Sequence, residues 1–386
     1  MSATADLAGT ISAAAGRRRE RLVEMLAAIT ALDAPSGDPE ALAAPASLLG
    51  SWLEELGART TVTPTAAGAL LDADLGGAAG DAVLLLCHYD TVWPAGEAAA
   101  RPFAVADGIA RGPGVLDMRG GVVACLGAAA ILAELGVEHG PLRLLLTPDE
   151  ETGSEASRER IVAAAGAASL VLVPEPALPD GSLKTSRKGW LLVRLTARGV
   201  AAHAGLEPER GVSAVDELLA GLATLEDLRD PERGTTINVG LLKSANPANV
   251  VADLAEATVD VRVADAVAER QVRDALAGLR PRDPRARLEV EELHSRPPLA
   301  RTAESAAAAA RVRSLAADLA IEPLGEGHAG GVSDANLAAL AGVPVIDGLG
   351  PRGGGAHAHD EWVDLDSLTE RTALIALLLA TAPRRS

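Results

Sequence analysis

The sequence predicts an α/β protein with a smaller α+β domain inserted into it, on three observations. Apolar runs without polar alternation, at 82–87, 142–146 and 170–173, are typical of strands buried on both faces of a sheet. A helical period of apolar residues separates the first two runs, at 121–135. Between residues 188 and 297 the order becomes βαββαβ, which is that of a ferredoxin-like sandwich.

Each element is predicted from its own apolar spacing. In chain order we predict helices 18–30 and 46–56, strand 82–87, helix 121–135, strands 142–146, 170–173 and 190–198, helix 212–228, strands 235–242 and 257–263, helix 267–279, strand 287–293, helix 304–319, strand 343–346 and helix 365–382. Since 386 residues exceed the usual size of one hydrophobic core, we expect two domains. Segments 1–187 and 298–386 form the larger one, and 188–297 the insertion.

The charge and the apolar stretches exclude some partners. A formal net charge of −18 argues against nucleic acid, because contact with the phosphate backbone needs clustered cations. The basic runs Arg17–Arg19 and Arg384–Arg385 are short, and we expect them to solvate the chain ends. No signal peptide is recognisable, and the apolar stretches 120–133 and 372–382 fall short of the ~20 residues of a membrane span. We therefore expect no membrane partner.

The two cysteines, Cys87 and Cys125, show no spacing typical of a disulfide framework or of a Cys-rich metal site. We therefore expect a reducing, cytoplasmic location. Cys87 precedes a histidine, which leaves a nucleophilic role open, but a cysteine ending an apolar strand is more often a core residue.

Acidic or imidazole side chains follow all three apolar strands of the larger domain. His88 and Asp90 end the first, Glu150 and Glu151 follow the second, and Glu175 lies between prolines after the third. In open α/β sheets ligands bind beyond the carboxyl ends of the strands, so we expect these side chains to meet. Taken singly, His88 and Asp90 fit a polar loop better, Glu175 fits a structural turn equally well, and only the acidic run with Glu150 and Glu151 is better explained by a cation.

Two further segments offer ligands. Asp117 lies among glycines in 112–121, directly before a helix, where it could bridge two cations or simply cap the helix. His357 and His359 follow a glycine run, and their spacing does not decide between them. Imidazoles and carboxylates are ligands that zinc accepts, and two-metal sites need a shared oxygen ligand. Together the segments predict a two-metal site with one glutamate to spare.

These motifs, in this order, resemble the co-catalytic zinc peptidases and deacylases, which include glutamate carboxypeptidases, acetylornithine deacetylase, succinyl-diaminopimelate desuccinylase and aminoacylase. The resemblance extends from about Leu22 to Leu379 and is carried by five segments: His88 to Val92, Gly112 to Gly121, Asp149 to Ser154, Pro174 to Pro176 and His357 to Trp362. It implies a catalytic domain with a central mixed sheet flanked by helices, and an inserted lid that mediates dimerisation.

The resemblance also implies roles for these residues. His88, Asp117 and Glu175 would hold one zinc ion, and Asp117, Glu151 and His357 the other, with cobalt or manganese as alternative metals. Asp117 would precede a cis peptide bond. Glu150 would act as the general base and Asp90 would orient His88. His357 is preferred to His359 because the family places this ligand four residues before the glutamate matched by Glu361.

In the inserted domain, the resemblance implies that His203 reaches the active site of a partner subunit and stabilises the oxyanion there, which predicts a homodimer. Asn249 and Arg262 match positions that receive the substrate carboxylate. Gly330 and Gly331 belong to a glycine-rich substrate loop. The substrate would be an acylated amino acid or a peptide.

Several functions stay open. The segment 185–189 and the motif around His203 lie closer to the glutamate carboxypeptidases, which favours release of a C-terminal amino acid such as glutamate. An N-acyl-amino-acid deacylase is the alternative. A non-catalytic relative that only binds ligands should lack a metal ligand or the base, and here none is missing. A nucleotide-binding dehydrogenase is excluded, since the GxGxxG match at 348–353 does not open a helix.

Overall fold

The computed structural model describes residues 3–321 and 323–382. The predicted solvation of Arg384–Arg385 falls outside these residues. The chain divides into two compact units. The first comprises Met1–Ser186, Arg301–Ala329 and Ser333–Ser386, and the second Arg187–Ala300 with Gly330–Val332. Whether each unit folds as an independent domain stays a prediction.

The helices and strands are numbered in chain order. The helices are α1 Ala3–Thr30, α2 Ala43–Glu55, α3 Glu97–Ala100, α4 Gly120–Leu135, α5 Arg158–Gly166, α6 Ala214–Glu226, α7 Ala266–Gly278, α8 Ala303–Asp318, α9 Asp334–Ala338 and α10 Leu365–Ala380. The strands are β1 Arg59–Thr65, β2 Gly68–Asp74, β3 Val83–His88, β4 Ala104–Ala106, β5 Ile109–Arg111, β6 Leu142–Thr147, β7 Leu170–Val173, β8 Leu183–Arg187, β9 Gly189–Arg198, β10 Thr236–Ser244, β11 Leu254–Val263, β12 Arg287–Arg296, β13 Glu326–Ala329, β14 Val345–Asp347, β15 Gly353–Gly354 and β16 Trp362–Asp364.

The first unit is built on an eight-stranded mixed sheet in the order β1-β2-β6-β3-β7-β14-β8-β13. The central strands are parallel to one another, with β3 between β6 and β7 and with β14 beside β7. At one end of the sheet, β1 is antiparallel to β2, and β2 is antiparallel to β6. The predicted α/β class, with a central mixed sheet and flanking helices, is therefore confirmed.

Three long helices, α1, α4 and α10, pack against one another on this sheet. Among the described residues one segment, Val115–Leu135, is apolar and long enough to cross a membrane, but 89% of its most apolar window is buried inside the protein. A core helix passes the same test, and α4 contributes most of its residues to the hydrophobic core.

The basic run Arg17–Arg19 in α1 forms ion pairs with two neighbouring helices. Arg17 and Arg18 pair with Glu134 at the end of α4, and Arg19 pairs with Asp366 in α10. These arginines are partly exposed, and they also form surface ion pairs that the sequence did not indicate. Since all three pairs are substantially exposed, each contributes little to stability.

The second unit is a four-stranded antiparallel sheet in the order β10-β11-β9-β12, with α6 and α7 on one face. Every second residue of β11 is buried against these helices, and the intervening side chains face the other way. The order βαββαβ and this strand arrangement are those expected of a ferredoxin-like sandwich.

A third, small sheet in the first unit has no counterpart among the predictions. It has the order β15-β16-β5-β4, from strands of only two or three residues. Such short segments carry no detectable apolar period, which is why the sequence did not reveal them. This sheet holds two loops of the candidate site together.

Candidate metal centre

The carboxyl ends of β3, β6 and β7 bring the predicted residues to one edge of the sheet. His88 is the last residue of β3, Glu150 and Glu151 lie in a single helical turn after β6, and Glu175 follows β7 directly. Because these three strands are parallel neighbours, their ends meet, as the sequence predicts.

Asp117 lies in a different segment, between β5 and α4. Strand β5 pairs with β16, and the chain then turns through Gly112–Gly114 before α4 begins at Gly120. Gly114 has a φ of 70°, and a Cβ there would lie 2.7 Å from a methyl group of Thr91, so only glycine fits this turn. The Asp117–Met118 peptide bond is cis. Asp117 does not cap α4, so that alternative is wrong.

His357 lies in the loop that joins β15 to β16. Its φ is 63°, a left-handed conformation that turns the ring towards Asp117 and Glu151. His359 instead stays exposed, with its ring 5.2 Å from that of Trp93 and its Nδ1 3.5 Å from Glu97. The structure therefore brings His357, and not His359, to the other candidate ligands.

Two groups of three side chains share Asp117. In the first, Nε2 of His88 lies 3.4 Å from Oδ1 of Asp117 and 3.6 Å from Oε1 of Glu175. In the second, Nε2 of His357 lies 3.4 Å from Oδ2 of Asp117 and 3.1 Å from Oε2 of Glu151. Within each group the ligand atoms lie within 4.8 Å of one another, so each could hold a metal ion.

The unsatisfied atoms of these groups fit a bound cation. Nε2 of His88 and Oε1 of Glu151 are buried and make no hydrogen bond to the described part of the chain. A buried polar atom without a hydrogen-bond partner lowers the stability of the folded protein unless an ion or a water molecule binds to it. Neutral imidazole and carboxylate are also the donor types that zinc binds. The residues present therefore fit a metal ion in each group.

The protonation of the groups without metal shows how strongly they interact. Burial lowers the pKa of His88, but the neighbouring carboxylates of Asp117 and Asp90 outweigh it, and the pKa lies well above its ordinary value. The carboxylates of Asp117 and Glu151 raise the pKa of His357 to about 10. Burial raises the pKa of Glu151 to about 7. At neutral pH the two imidazoles therefore favour the protonated form, and a metal ion would have to displace these protons.

Asp90 connects the two metal-ligating segments. It is fully buried, and its Oδ1 lies 3.3 Å from Nδ1 of His88. Its carboxylate also accepts backbone N–H bonds from Glu150 and Glu151, at 3.2 and 3.1 Å. The hydroxyl of Ser36 donates to its Oδ2 at 2.5 Å. Ser36 lies between a proline and a glycine, and this local sequence gives no sign of its contact with Asp90.

Glu150 lies within electrostatic reach of the ligands. Its negative charge helps to raise the pKa of both His88 and Glu151. Its backbone N–H donates to Asp90, and the residue is partly exposed. A carboxylate that faces a cation site without being needed as a ligand is suited to proton transfer.

The second unit contains the remaining predicted residues. Nδ1 of His203 accepts backbone N–H bonds from Gly205 and Leu206, at 3.1 and 3.2 Å. In the neutral ring the proton is then on Nε2, so the exposed edge of the ring is a hydrogen-bond donor. The backbone of Asn249 accepts a bond from Ala204, so these two loops are held side by side.

Arg262 is fixed before any substrate arrives. Its Nε and one terminal nitrogen donate to the two oxygens of Asp260, at 2.9 and 3.0 Å. Its guanidinium also lies over the ring of Trp190, 5.1 Å from the centroid. The second terminal nitrogen has no partner in the described part of the chain. It is the group that Arg262 can offer to a carboxylate.

The glycine-rich loop of the second unit is anchored at its end. The buried guanidinium of Arg187 donates to the carbonyl groups of Gly331 and Val332, at 3.0 and 3.3 Å. A Cβ added at Gly330 or Gly331 would meet no described atom within 4 Å. Nothing within the described chain therefore requires glycine there, and the exposed backbone is open to a ligand.

Cys87 is a core residue. It is buried beside Cys125, and burial raises the pKa of its thiol well above the ordinary value. A thiol in this environment is not a nucleophile at neutral pH.

Comparison with known proteins identifies a family. Residues 84–381 match the model of peptidase family M20/M25/M40. The chain is 30% identical over 98% of its length to carboxypeptidase G2 of a Pseudomonas species, of which it covers 95%. It is 36% identical over 45% of its length to a succinyl-diaminopimelate desuccinylase of Cereibacter sphaeroides, of which it covers 50%. Its fold superposes on an aminopeptidase of Bacillus cereus with a TM-score of 0.73, at 22% identity, covering 94% of this chain and 98% of that one.

Proposed function

Because the chain belongs to peptidase family M20/M25/M40 and is therefore a metal-dependent hydrolase of amide bonds, we propose that it cleaves an amide bond next to a free carboxylate. The product would be a C-terminal amino acid such as glutamate. The observation that carries this proposal is the pair of three-residue groups sharing Asp117, with Glu150 beside them. A non-catalytic role has no support, since no ligand and no base is missing.

Two divalent ions, in our proposal zinc, would be held by His88, Asp117 and Glu175 and by Asp117, Glu151 and His357. When bound, such ions supply Lewis acidity and lower the pKa of water to near neutrality. The charge of the groups suits this use. Three carboxylates among five ligands offset most of the charge of two dications.

Glu150 would move the proton. It accepts a proton from the attacking water and passes it to the leaving nitrogen of the scissile amide. Its backbone, and that of Glu151, is held by Asp90. The carboxylate of Asp90 thus fixes the positions of Glu150 and Glu151 relative to His88, whose Nδ1 it also faces.

His203 would stabilise the oxyanion that develops on the scissile carbonyl. Its Nε2–H is the free donor of the ring, since Nδ1 accepts two backbone bonds. One such donor typically contributes ~10²–10³ to the rate. We propose that it acts in the site of a second subunit. β10 is an exposed edge strand whose Val239, Leu241 and Leu242 are 40–51% exposed, which is a surface that another chain can cover.

Arg262 would receive the substrate carboxylate through its free terminal nitrogen, with Asn249 and the Gly330–Gly331 backbone completing the substrate site. We favour a carboxypeptidase because the relative that matches over nearly the whole chain is named carboxypeptidase G2. The desuccinylase that matches about half of the chain supports an N-acyl-amino-acid deacylase as the second candidate. Free buried cysteines are compatible with the cytoplasm, which is part of the proposal.

The test begins by removing metal with a chelator and restoring zinc. Hydrolysis is then followed for N-acyl-glutamate, other N-acyl-amino acids, dipeptides and acetylornithine, each with a free and with an amidated carboxylate. We expect zinc-dependent cleavage of the free acids only, and its loss in Glu150→Gln. Exposed Glu159 on α5 provides the matched control, since Glu159→Gln changes the same group away from the site.

The pattern of turnover decides between the candidates. Preference for peptidyl or acyl groups on glutamate supports the carboxypeptidase, and preference for short N-acyl groups on other amino acids supports the deacylase. Cleavage of the amidated substrates at an equal rate would contradict recognition of a free carboxylate. A protein that binds no zinc would refute the proposal.

A further inference from the structure

Glu361 is a buried carboxylate that belongs to neither ligand group. Its side chain is in the first unit, and the residue is only 1% exposed. Oε1 accepts the backbone N–H groups of Leu116 and Asp117, at 2.9 and 3.1 Å. Oε2 accepts the backbone N–H of Gly114 at 2.7 Å and the indole N–H of Trp93 at 3.3 Å. Four donors therefore converge on one carboxylate.

Three of these donors belong to the loop that delivers Asp117. The Asp117 backbone itself donates to Glu361, and the two other backbone donors lie one and three residues before it. The loop contains one helical turn, Val115–Arg119, with backbone bonds of its own from Val115 to Gly112 and from Arg119 to Gly114. The carboxylate of Glu361 binds the N–H groups at the start of this turn and so holds the backbone of Asp117 against the loop of His357.

Glu361 also belongs to the loop of His357. The two residues are four apart, and the loop between them is closed by backbone bonds from Ala358 to Gly355 and from Glu361 to Ala358, at 2.8 and 3.1 Å. β16 starts immediately after Glu361. The ligand His357 and the acceptor for the Asp117 loop are therefore parts of one short, internally bonded segment.

We infer that Glu361 is a positioning residue that sets Asp117 relative to His357 and so assembles the group of Asp117, Glu151 and His357. This inference rests on the proposed function, which makes that group a metal site. Glu361 does not contact the ligand atoms itself. It acts through the backbone of one ligand and through the loop of the other.

The other group depends less on Glu361. His88 is held by strand β3 and faces Asp90. The backbone carbonyl of Glu175 accepts a bond from Gly350 at 2.9 Å, away from Glu361. Only Asp117 is common to both groups. Loosening Glu361 should therefore weaken the group with His357 more than the group with His88.

A second contact supports the segment from outside. The guanidinium of Arg101 lies over the ring of Trp93, 4.0 Å from the centroid, and donates to the carbonyl of His359 at 2.9 Å. Trp93 in turn donates to Glu361. The indole thus links Glu361 to the outer side of the His357 loop, and its removal should have a smaller effect in the same direction.

The chemistry of the carboxylate makes Glu361→Gln an informative change. Each oxygen of Glu361 accepts two bonds, whereas a carboxamide has one accepting oxygen and an NH₂ group that cannot accept. Glutamine keeps the size but must place its NH₂ against two N–H donors. Two of the four bonds are lost, and the loop must shift.

The experiment is a stepwise zinc titration against a chromophoric chelator, together with the visible absorption of the cobalt-substituted protein. In Glu361→Gln we expect the ion held with His357 to bind about 10–100-fold less tightly, as for other residues that orient ligands. The ion held with His88 should change by a few-fold at most, so the titration should separate into two steps and the cobalt spectrum should lose the contribution of the His357 group. Trp93→Phe should show a smaller loss of the same kind.

Asp72→Asn is the matched control. Asp72 is another buried carboxylate of the first unit, 5% exposed, and it pairs with Arg143 and Arg160 away from both ligand groups. We expect this change to lower the thermal midpoint while leaving both zinc affinities and the cobalt spectrum as in the unaltered protein.

The outcomes separate this inference from the function on which it rests. If the unaltered protein binds two ions and Glu361→Gln binds both equally well despite a lower thermal midpoint, Glu361 is only a loop anchor and the inference is wrong. If Glu361→Gln does not fold, unchanged zinc affinities in Trp93→Phe overturn it. An unaltered protein that binds fewer than two ions would refute the two-metal proposal itself.

Discussion

At the scale of single residues, the site combines carboxylates and imidazoles whose pKa values depend on one another. Burial raises the pKa of Glu151 to about 7. The neighbouring carboxylates raise the pKa of His357 to about 10. The pKa of Asp117 lies below its ordinary value because the two imidazoles outweigh the effect of burial. Protons are thus a substitute for metal at this site, and they compete with it.

This competition predicts how the stability of the metal-free protein depends on pH. A histidine with a raised pKa stabilises the folded state below its ordinary pKa of 6.5, and this contribution is lost as the pH rises to about 10. Ionisation of Glu151 acts in the same direction between its ordinary value of 4.5 and about 7. The thermal midpoint of chelator-treated protein should therefore fall as the pH rises from 6.5 to 10, as measured by circular dichroism.

Two controls accompany this measurement. In the zinc-loaded protein the ring nitrogens bind metal and not protons, so the decline should be much smaller. In His357→Gln the metal-free protein should also lose much of the slope. Equal slopes for the stripped and loaded proteins would show that these groups do not hold the metal.

At the scale of elements, the start of α4 must approach the segment that carries Glu175. A Cβ added to Gly121 would lie 1.9 Å from the carbonyl oxygen of Pro174, which is a backbone atom and cannot rotate away as the end of a flexible side chain could. The closeness of α4 to this segment is what allows Asp117, three residues before the helix, to reach Glu175. The glycine is thus required by packing and not by its own dihedral angles.

Gly121→Ala should therefore destabilise the protein by about 1–3 kcal/mol, the usual cost of overpacking. Gly16→Ala in the exposed middle of α1 is the matched control, because no atom lies within 4 Å of the added Cβ. That change should stabilise the protein by about 0.5–1 kcal/mol through helix propensity. Urea unfolding measures both, and similar effects of the two substitutions would contradict the packing argument.

At the scale of the whole molecule, the proposed chemistry needs residues from both compact units. The ligand groups and Glu150 lie in the first unit, whereas His203 and Arg262 lie in the second. In the proposed homodimer, the exposed apolar edge at β10, with the 48% exposed Leu219 of α6 nearby, would be the surface covered by the second copy of the chain. A homodimer would allow the second unit of one subunit to complete the site of the other.

Complementation between two inactive variants tests this arrangement. Glu150→Gln and His203→Ala, refolded together in equal amounts, should regain roughly a quarter of the unaltered activity, because half of the random dimers contain one intact site. Each variant refolded alone is the control. If His203 acts within its own subunit, no mixed dimer has an intact site and activity stays at the level of the controls. Size-exclusion chromatography verifies that dimers form.

Much of the fold follows from local patterns that do not need tertiary context. β7 was predicted to the residue, and α4, β3 and β6 to within one residue at each end, since buried strands and core helices are unbroken apolar segments. β1 and β2 were missed. β1 is largely exposed and polar, and β2 includes the charged Asp72 and Asp74, so neither has a clear apolar run. The short strands around the ligand loops left no signal of their own.

The sequence by itself determined the α/β class, the inserted βαββαβ segment and the residue types of the site, because these depend on composition and spacing. Spacing did not separate His357 from His359, and only the family resemblance preferred His357. The tertiary structure brought His357 to the other ligands, revealed Ser36 behind Asp90, and gave Glu361 its four donors. The reason is physical. These relations join segments up to 268 residues apart, and spacing along the chain carries no information about which loops a short sheet holds together.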